Sequence, residues 1–408
     1  MRDITLRARI WEVEKVKRKN RHIGSGMPRS IGCFVALTLL VIVCLATPTG
    51  DVLVFSYRIE VRLENGSTRP WNMSEVMPSL ALFLNTSWQR ATVVNTSQPI
   101  EDVISDADGN PRLLLRAANT VLGPGESLAL AAEYKIASEP RSPPNIDTGC
   151  AGHLYDIPEP LVSELCREAG CWTVGFEPLR ELAFELARGR TNVLEILASF
   201  IMWIHENITY HPFETPLYPN ETFLSGLGAH DDQVNLLITL CRIVGIPAYL
   251  QVGYVFTPYH RDEFVLGAGH LRWELVNMRW HAWAVVYVPP WGWLPVDLTA
   301  IGGLVVDPLD AIRRALVWDQ NTLLLAEVRC TDYVATARQA LEFLREHGLY
   351  VHREERLELL AEEQDILSEL WPYIAASSAM VPISLAIILV ALKLRKKRSA
   401  RRGSEATG

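Results

Sequence analysis

The sequence predicts an α+β protein: an all-β segment precedes a helix-and-strand core, and a membrane span stands at each end. Three observations carry this. Two uncharged apolar runs, residues 31–46 and 371–392, bracket the chain. Just inside the first, Phe55, Tyr57, Ile59, Val61 and Leu63 alternate with polar residues, the period-two mark of a strand with one buried face. Further on, a helical pattern from His230 stops at "GIPA" and is followed by "AYLQVGYVF", "HAWAVVYV" and "WGWLPVDLT", which read as strands.

Charge fixes the topology. Residues 1–30 hold nine Lys or Arg against three acidic residues, and 393–408 hold seven against one. The residues between the spans carry 23 basic and 43 acidic groups, so an overall charge of −8 hides a middle of −20. Positive flanks stay inside, so both tails, 1–30 and 393–408, are expected in the cytoplasm and the middle outside the cell. Residues 371–392 are long enough to span about 30 Å of hydrocarbon, and 31–48 form a transmembrane helix or a signal anchor. The expected location is the cell membrane, multi-pass. So acidic an exterior excludes nucleic acid as partner, because phosphate binding needs clustered Lys and Arg.

Six of the 14 asparagines begin an N-x-[ST] sequon, where chance gives roughly one or two. These are Asn65, Asn72, Asn85, Asn95, Asn207 and Asn220, all between the spans, and they are glycosylation candidates. Five cysteines lie there too, an odd number; Cys150, Cys166 and Cys171 are close enough in sequence for a local disulfide.

Residues 52–137 are expected to form a β-sandwich, with "DADGN" and "GPGE" as turns. Residues 138–175 read as a Pro- and Cys-bearing connector. In the core, 176–310, Val234, Leu237, Cys241 and Val244 form one stripe of the helix, Gly245 caps it, and Pro247 stops it. A loop is expected from the first core strand to Trp280, holding a solvated His260 and His270. Residues 332–370 read as a helical stalk whose heptads are too few to specify a coiled-coil dimer. The oligomeric state is not set by these features.

The order helix, "GIPA", strand, "HAW", strand, "GW-PVD-T" resembles the core of the transglutaminase-like family, within the papain-like cysteine protease superfamily. Gly228, Asp232, Arg242, Gly245, Ile246, Pro247, Ala248, Gly253, Tyr254, His281, Trp283, Trp293, Asp297 and Thr299 carry the match, and a β-sandwich ahead of the core is similar to membrane-anchored prokaryotic members. The resemblance implies a Cys opening the helix as nucleophile, His281 as its base and Asp297 orienting that base, with a thioester intermediate and no cofactor. Counting back from Arg242, the nucleophile position holds His230. An imidazole cannot form that thioester.

Three readings of His230 follow. It fills the old nucleophile pocket of a silent domain that binds peptide or cell-envelope material. Alternatively, His230, His281 and Asp297 activate water in a peptidase or amidase. Thirdly, His230, His281 and Asp232 hold a metal ion. Asp231 and Asp232 also suit a plain capping role at a helix start. Trp280, Trp283, Trp291 and Trp293 line a cleft or pack the core.

Overall fold

Strand β1, Val52–Asn65, keeps the alternation read from its sequence: Phe55, Tyr57 and Ile59 are buried, whereas Arg58, Glu60 and Arg62 are exposed. The computed structural model describes residues 52–72, 79–116, 121–299 and 307–363. Both expected membrane spans and both basic tails lie outside the described residues. Among those residues, no helix is long and apolar enough to cross a membrane.

After β1 come β2 (Trp71–Asn72), β3 (Ser79–Ala81), β4 (Gln89–Thr96), β5 (Ile100–Ser105), β6 (Pro111–Leu115), β7 (Val121–Leu122) and β8 (Ser127–Ser138). Helices α1 (Glu159–Leu165), α2 (Glu177–Ala187) and α3 (Val193–Asn207) follow, then β9 (Thr209–Tyr210), α4 (Pro219–Ser225) and β10 (Leu227–Gly228). The core proper is α5 (His230–Ile243), β11 (Ala248–Leu266), β12 (Leu271–Val288) and β13 (Gly292–Val296). Last come α6 (Asp310–Arg313), β14 (Thr322–Val328), α7 (Tyr333–His347) and β15 (Leu349–Glu363).

The fold is mixed α/β around one curled sheet of order β14-β11-β12-β15-β1-β8-β4, with β13 paired to β12. Instead of standing apart as a sandwich, the segment 52–137 adds β1, β8 and β4 to the core's own sheet. A small sheet, β3-β6-β5, covers it by packing Leu80, Leu113 and Leu115 on Phe55, Tyr57 and Tyr134. The other main cluster joins α2, α3 and α5 to β11, β12 and β13 through Leu179, Phe200, Leu237, Leu250, Ala284 and Val296.

Strand β15 makes that continuity, and it replaces the second half of the expected stalk. Among the described residues of that stretch, only Tyr333–His347 is helical; Gly348, at φ 64°, ends that helix, and the chain returns as a strand antiparallel to β1 and parallel to β12. Leu349, Glu355 and Leu357 face inward while Tyr350, His352 and Glu354 face out. A charged pair on the inner face, Arg353 and Glu355, hid the alternation.

The expected loop before Trp280 is also strand. β11 and β12 form a hairpin of 19 and 18 residues. The outer half of β11 is largely polar from Thr257 to Glu263, which reads as loop in sequence, whereas the facing half of β12 packs Trp273, Leu275 and Met278 into the core. A bulge between Phe256 and Arg261 interrupts the pairing, with Tyr259 and Asn277 both at positive φ and the Tyr259 N–H donating to Asn277 Oδ1 at 3.0 Å. His260 pairs with Asp262 at 2.9 Å, and His270 bonds the Leu349 carbonyl at 2.8 Å, so neither is simply solvated.

Two other expectations change. Asn65 is fully buried: its Nδ2 donates to the carbonyls of Arg69 and Leu122, both at 2.8 Å, and its Oδ1 accepts from Ser67. That amide is committed to the fold and is not presented for glycosylation. Asn72, Asn85, Asn95 and Asn207 are exposed, and Asn220 is half-buried. Cys150, Cys166 and Cys171 form no local disulfide; these three, Cys241 and Cys330 are free thiols.

Candidate active site

Helix α5 is the centre of the core. The sequence stripe suggested one buried face, yet every residue from Asp232 to Arg242 is buried. Its polar members are accommodated individually. Gln233 Nε2 donates to Gly228 O at 3.1 Å, Asn235 Nδ2 to the Tyr333 hydroxyl at 2.6 Å, and Thr239 Oγ1 to Asn235 O at 2.9 Å. Arg242 Nε donates to Ala248 O at 2.9 Å, an Nη to Arg329 O at 3.1 Å, and the guanidinium lies 4.0 Å from the Trp172 ring centre. This helix cannot shift without breaking those ties, so its first residue is held firmly.

That first residue is His230. Asp232, two positions on, accepts the N–H of the capping residue Ala229 at 2.8 Å and, from the loop before α4, the Leu217 N–H at 2.7 Å. Burial, helped by the neighbouring Asp231 charge, pushes the Asp232 carboxyl up to about 7, while the two N–H bonds oppose that rise. With both oxygens engaged, Asp232 is poorly placed to ligate a metal. Among the described residues, no group of three His, Cys, Asp or Glu side chains is disposed to hold one.

His281 lies on β12 directly across from Gly253 of β11. Its Nε2 is 2.8 Å from Asp297 Oδ2, and both side chains are buried. A carboxylate only accepts, so Nε2 carries the proton and Nδ1 is left for chemistry. Asp297 follows the last residue of β13 and is itself fixed. Its oxygens also accept the N–H of Leu316 and of Thr299, each at 3.2 Å. Behind His281, the buried Trp283 ring sits 6.0 Å away and anchors its Nε1 on Gln251 Oε1 at 2.8 Å. Sequence reasoning missed Leu316 and Gln251; a backbone N–H from a distant loop leaves no sequence signal.

The structure brings His230, His281 and Asp297 together. The two imidazoles lie nearly parallel, 5.6 Å between ring centres and 15° between planes. Both His230 ring nitrogens are buried without a normal hydrogen bond; Asp231 Oδ1 is 3.7 Å from Nδ1. Burial lowers the His230 pKa below 6.5, with the His281 charge adding to it and Asp231 opposing. The ring is therefore neutral at neutral pH. Cys241 is 11 residues along the same helix, about 16 Å away. Cys171 lies against Asn235, 3.9 Å from its Oδ1, and burial pushes its thiol far above the ordinary value.

A cavity of about 1530 Å³ opens in front of the two histidines. Trp280 is on its wall, together with Tyr210 and Phe213 from the segment after α3 and Ile59 and Leu130 from the far strands. Trp283, Trp291 and Trp293 instead pack into the core.

A profile of the transglutaminase-like superfamily matches residues 180–298. Among solved structures, the chain is similar to a proposed cysteine protease from Cytophaga hutchinsonii at 14% identity, covering 76% of this chain and 92% of that one, with a TM-score of 0.46. It is also similar to the periplasmic domain of TgpA from Pseudomonas aeruginosa, at 16% identity over 61% of this chain and 88% of that one, TM-score 0.30. A proposed protease from Parabacteroides distasonis aligns at 11% identity over 68% of each chain, TM-score 0.24. No curated protein matches the sequence.

Proposed function

With residues 180–298 identified as a transglutaminase-like domain, we propose that this chain is a membrane-anchored, extracellular binding protein in which that domain has lost its thiol chemistry. One observation carries the reading: the hydrogen-bonded His281–Asp297 pair faces an imidazole at the start of α5, where the family's attacking cysteine would stand. Attack on an amide carbonyl through that position needs a thiolate to form a thioester. His230 offers only a neutral ring nitrogen. The base and its orienting carboxylate remain, and so does a large cleft beside them, suited to an extended peptide or to cell-envelope material. The anchoring rests on the two apolar runs and their basic flanks.

A second reading has its own support. Two ring nitrogens of a neutral, half-buried His230 that lack a normal hydrogen bond, beside a paired His281, suit the activation of water for amide hydrolysis. One experiment separates the two. The full chain in detergent is assayed for hydrolysis of peptide amides and for amine transfer, with His281→Ala as the blank. The binding reading predicts that native protein is no faster than the blank; turnover that depends on His281 overturns it in favour of the hydrolase.

A further inference from the structure

We propose that Arg353 is a carboxylate subsite of the cleft, taking the free C-terminal carboxylate of an extended peptide whose chain runs back to His230 and His281. This rests on the peptide-binding reading above and specifies the chemistry of the ligand.

The argument starts from an ion pair in an unexpected place. Arg353 and Glu355 are both on the inward face of β15. Glu355 is fully buried, accepting from the Tyr57 hydroxyl at 2.5 Å, from Trp273 Nε1 at 2.8 Å, and from Arg353 Nε. Burying a carboxylate and a guanidinium costs about as much as their attraction returns, and an apolar pair of similar volume would hold the sheet as well. Stability alone therefore does not account for them. What the arrangement does provide is orientation. Nε is taken up by Glu355, and the guanidinium is 5.3 Å from the Trp273 ring centre. Among the described residues, neither Nη of Arg353 has a hydrogen-bond partner, and 32% of the side chain is accessible. The open edge is a planar two-donor fork, the shape that meets a carboxylate with two parallel hydrogen bonds.

Arg353 lines the same cavity as the two histidines. Its partner in register on β12 is Trp273, eight residues from His281 on that strand. At about 3.3 Å per residue the separation is at most roughly 26 Å, the reach of an octapeptide. Between the two ends the wall is largely aliphatic and aromatic, including Phe264, Leu271 and Leu341. Two acidic residues of the lining have partners: Glu214 accepts the Gly267 N–H and Asp262 pairs with His260. Two further cations line the cavity: Arg112 is held on Ser79 Oγ, and an Nη of Arg279 lies 3.3 Å from His260 Nδ1. The Arg353 fork, at the far end of the cleft from the histidines and inside an exterior of net charge −20, suits a single carboxylate and not a polyanion.

The test uses the full chain in detergent and an octapeptide pool built without Asp or Glu, labelled with fluorescein at the N-terminus. The pool is prepared as the free acid and as the carboxamide, and binding is read by fluorescence polarisation. Arg353→Met alone would strand the Glu355 charge, so the informative variant is the double substitution Arg353→Met, Glu355→Gln. Native protein should bind the acid pool at least about tenfold more tightly than the carboxamide. The double variant should bind both pools equally, with the native affinity for the carboxamide. Native protein without preference, or a preference that survives in the double variant, overturns the subsite and leaves the peptide cleft standing. Native protein that binds neither pool overturns the peptide-binding reading and the subsite with it.

Discussion

Gly253 is where a single methyl group tests the geometry of the site. It sits on β11 between two neighbours, opposite His281 of β12 on one side and Leu324 of β14 on the other. A Cβ built there would lie 2.0 Å from the Leu323 carbonyl oxygen and 3.0 Å from its carbon. Cβ atoms essentially never approach closer than 3.0 Å, so β14 must retreat by about 1 Å or β11 must move toward His281. Because the obstacle is backbone, no rotamer change relieves it. Overpacking of this kind costs about 1–3 kcal/mol, and a clash between two ladder strands belongs at the upper end. About 3 kcal/mol corresponds to a fall in Tm of roughly 5–10 °C for a domain of this size. Thermal unfolding of the full chain followed by circular dichroism reads it, with Gly245→Ala as comparison. Gly245 has φ 84° and nothing within 4 Å of a built Cβ, so alanine there meets only the left-handed backbone penalty, about 1–2 kcal/mol. A Gly253→Ala protein that melts no lower than Gly245→Ala would refute the reasoning.

Two further outcomes follow from α5. Arg242→Met leaves the Ala248 and Arg329 carbonyls buried without a donor, each worth about 1–3 kcal/mol, so urea titration should show a loss of about 2–5 kcal/mol; a loss under about 0.5 kcal/mol would remove Arg242 as the tie that holds the helix. Burial keeps the His230 pKa below its ordinary 6.5, so the unfolded chain gains that proton at higher pH than the folded one. Its stabilising share is therefore complete above about pH 6.5 and declines as pH falls toward the folded-state value. Asp232, raised to about 7, contributes in the opposite sense, its share being lost as pH rises through 7, and is kept in both proteins compared. Denaturant titrations at about pH 7.5 and 5.5 should then show His230→Asn losing less stability than native; equal losses would contradict the buried, neutral imidazole.

The sequence made the core legible because its signals are local. A helix that starts at His230, stops at Gly245 and returns through "HAW" and "PVD" leaves few ways to arrange His230, His281 and Asp297, and the structure gathers them. What escaped was set by distant packing. Residues 349–363 carry Arg353 and Glu355 where a strand's inner face ordinarily shows apolar side chains, so an acidic helix was the natural reading. The same two residues became visible as a pair only when β15 inserted between β12 and β1. The outer half of β11 is largely polar from Thr257 to Glu263, a pattern shared with loops, and only its pairing with β12, which packs Trp273, Leu275 and Met278 inward, makes it strand. Asn65 shows the limit of a motif: its sequon is intact, but its amide belongs to a turn that needs every one of its hydrogen bonds.

The proposed binding role requires that the site lack only its sulfur. Installing it with His230→Cys in the full chain places a thiol at the start of α5, beside the His281–Asp297 pair. Amide hydrolysis or amine transfer that is absent in native protein, appears in His230→Cys and vanishes again in His230→Cys, His281→Ala is the predicted result. Native protein that already turns over these substrates through His281, at a rate His230→Cys does not raise, would contradict it.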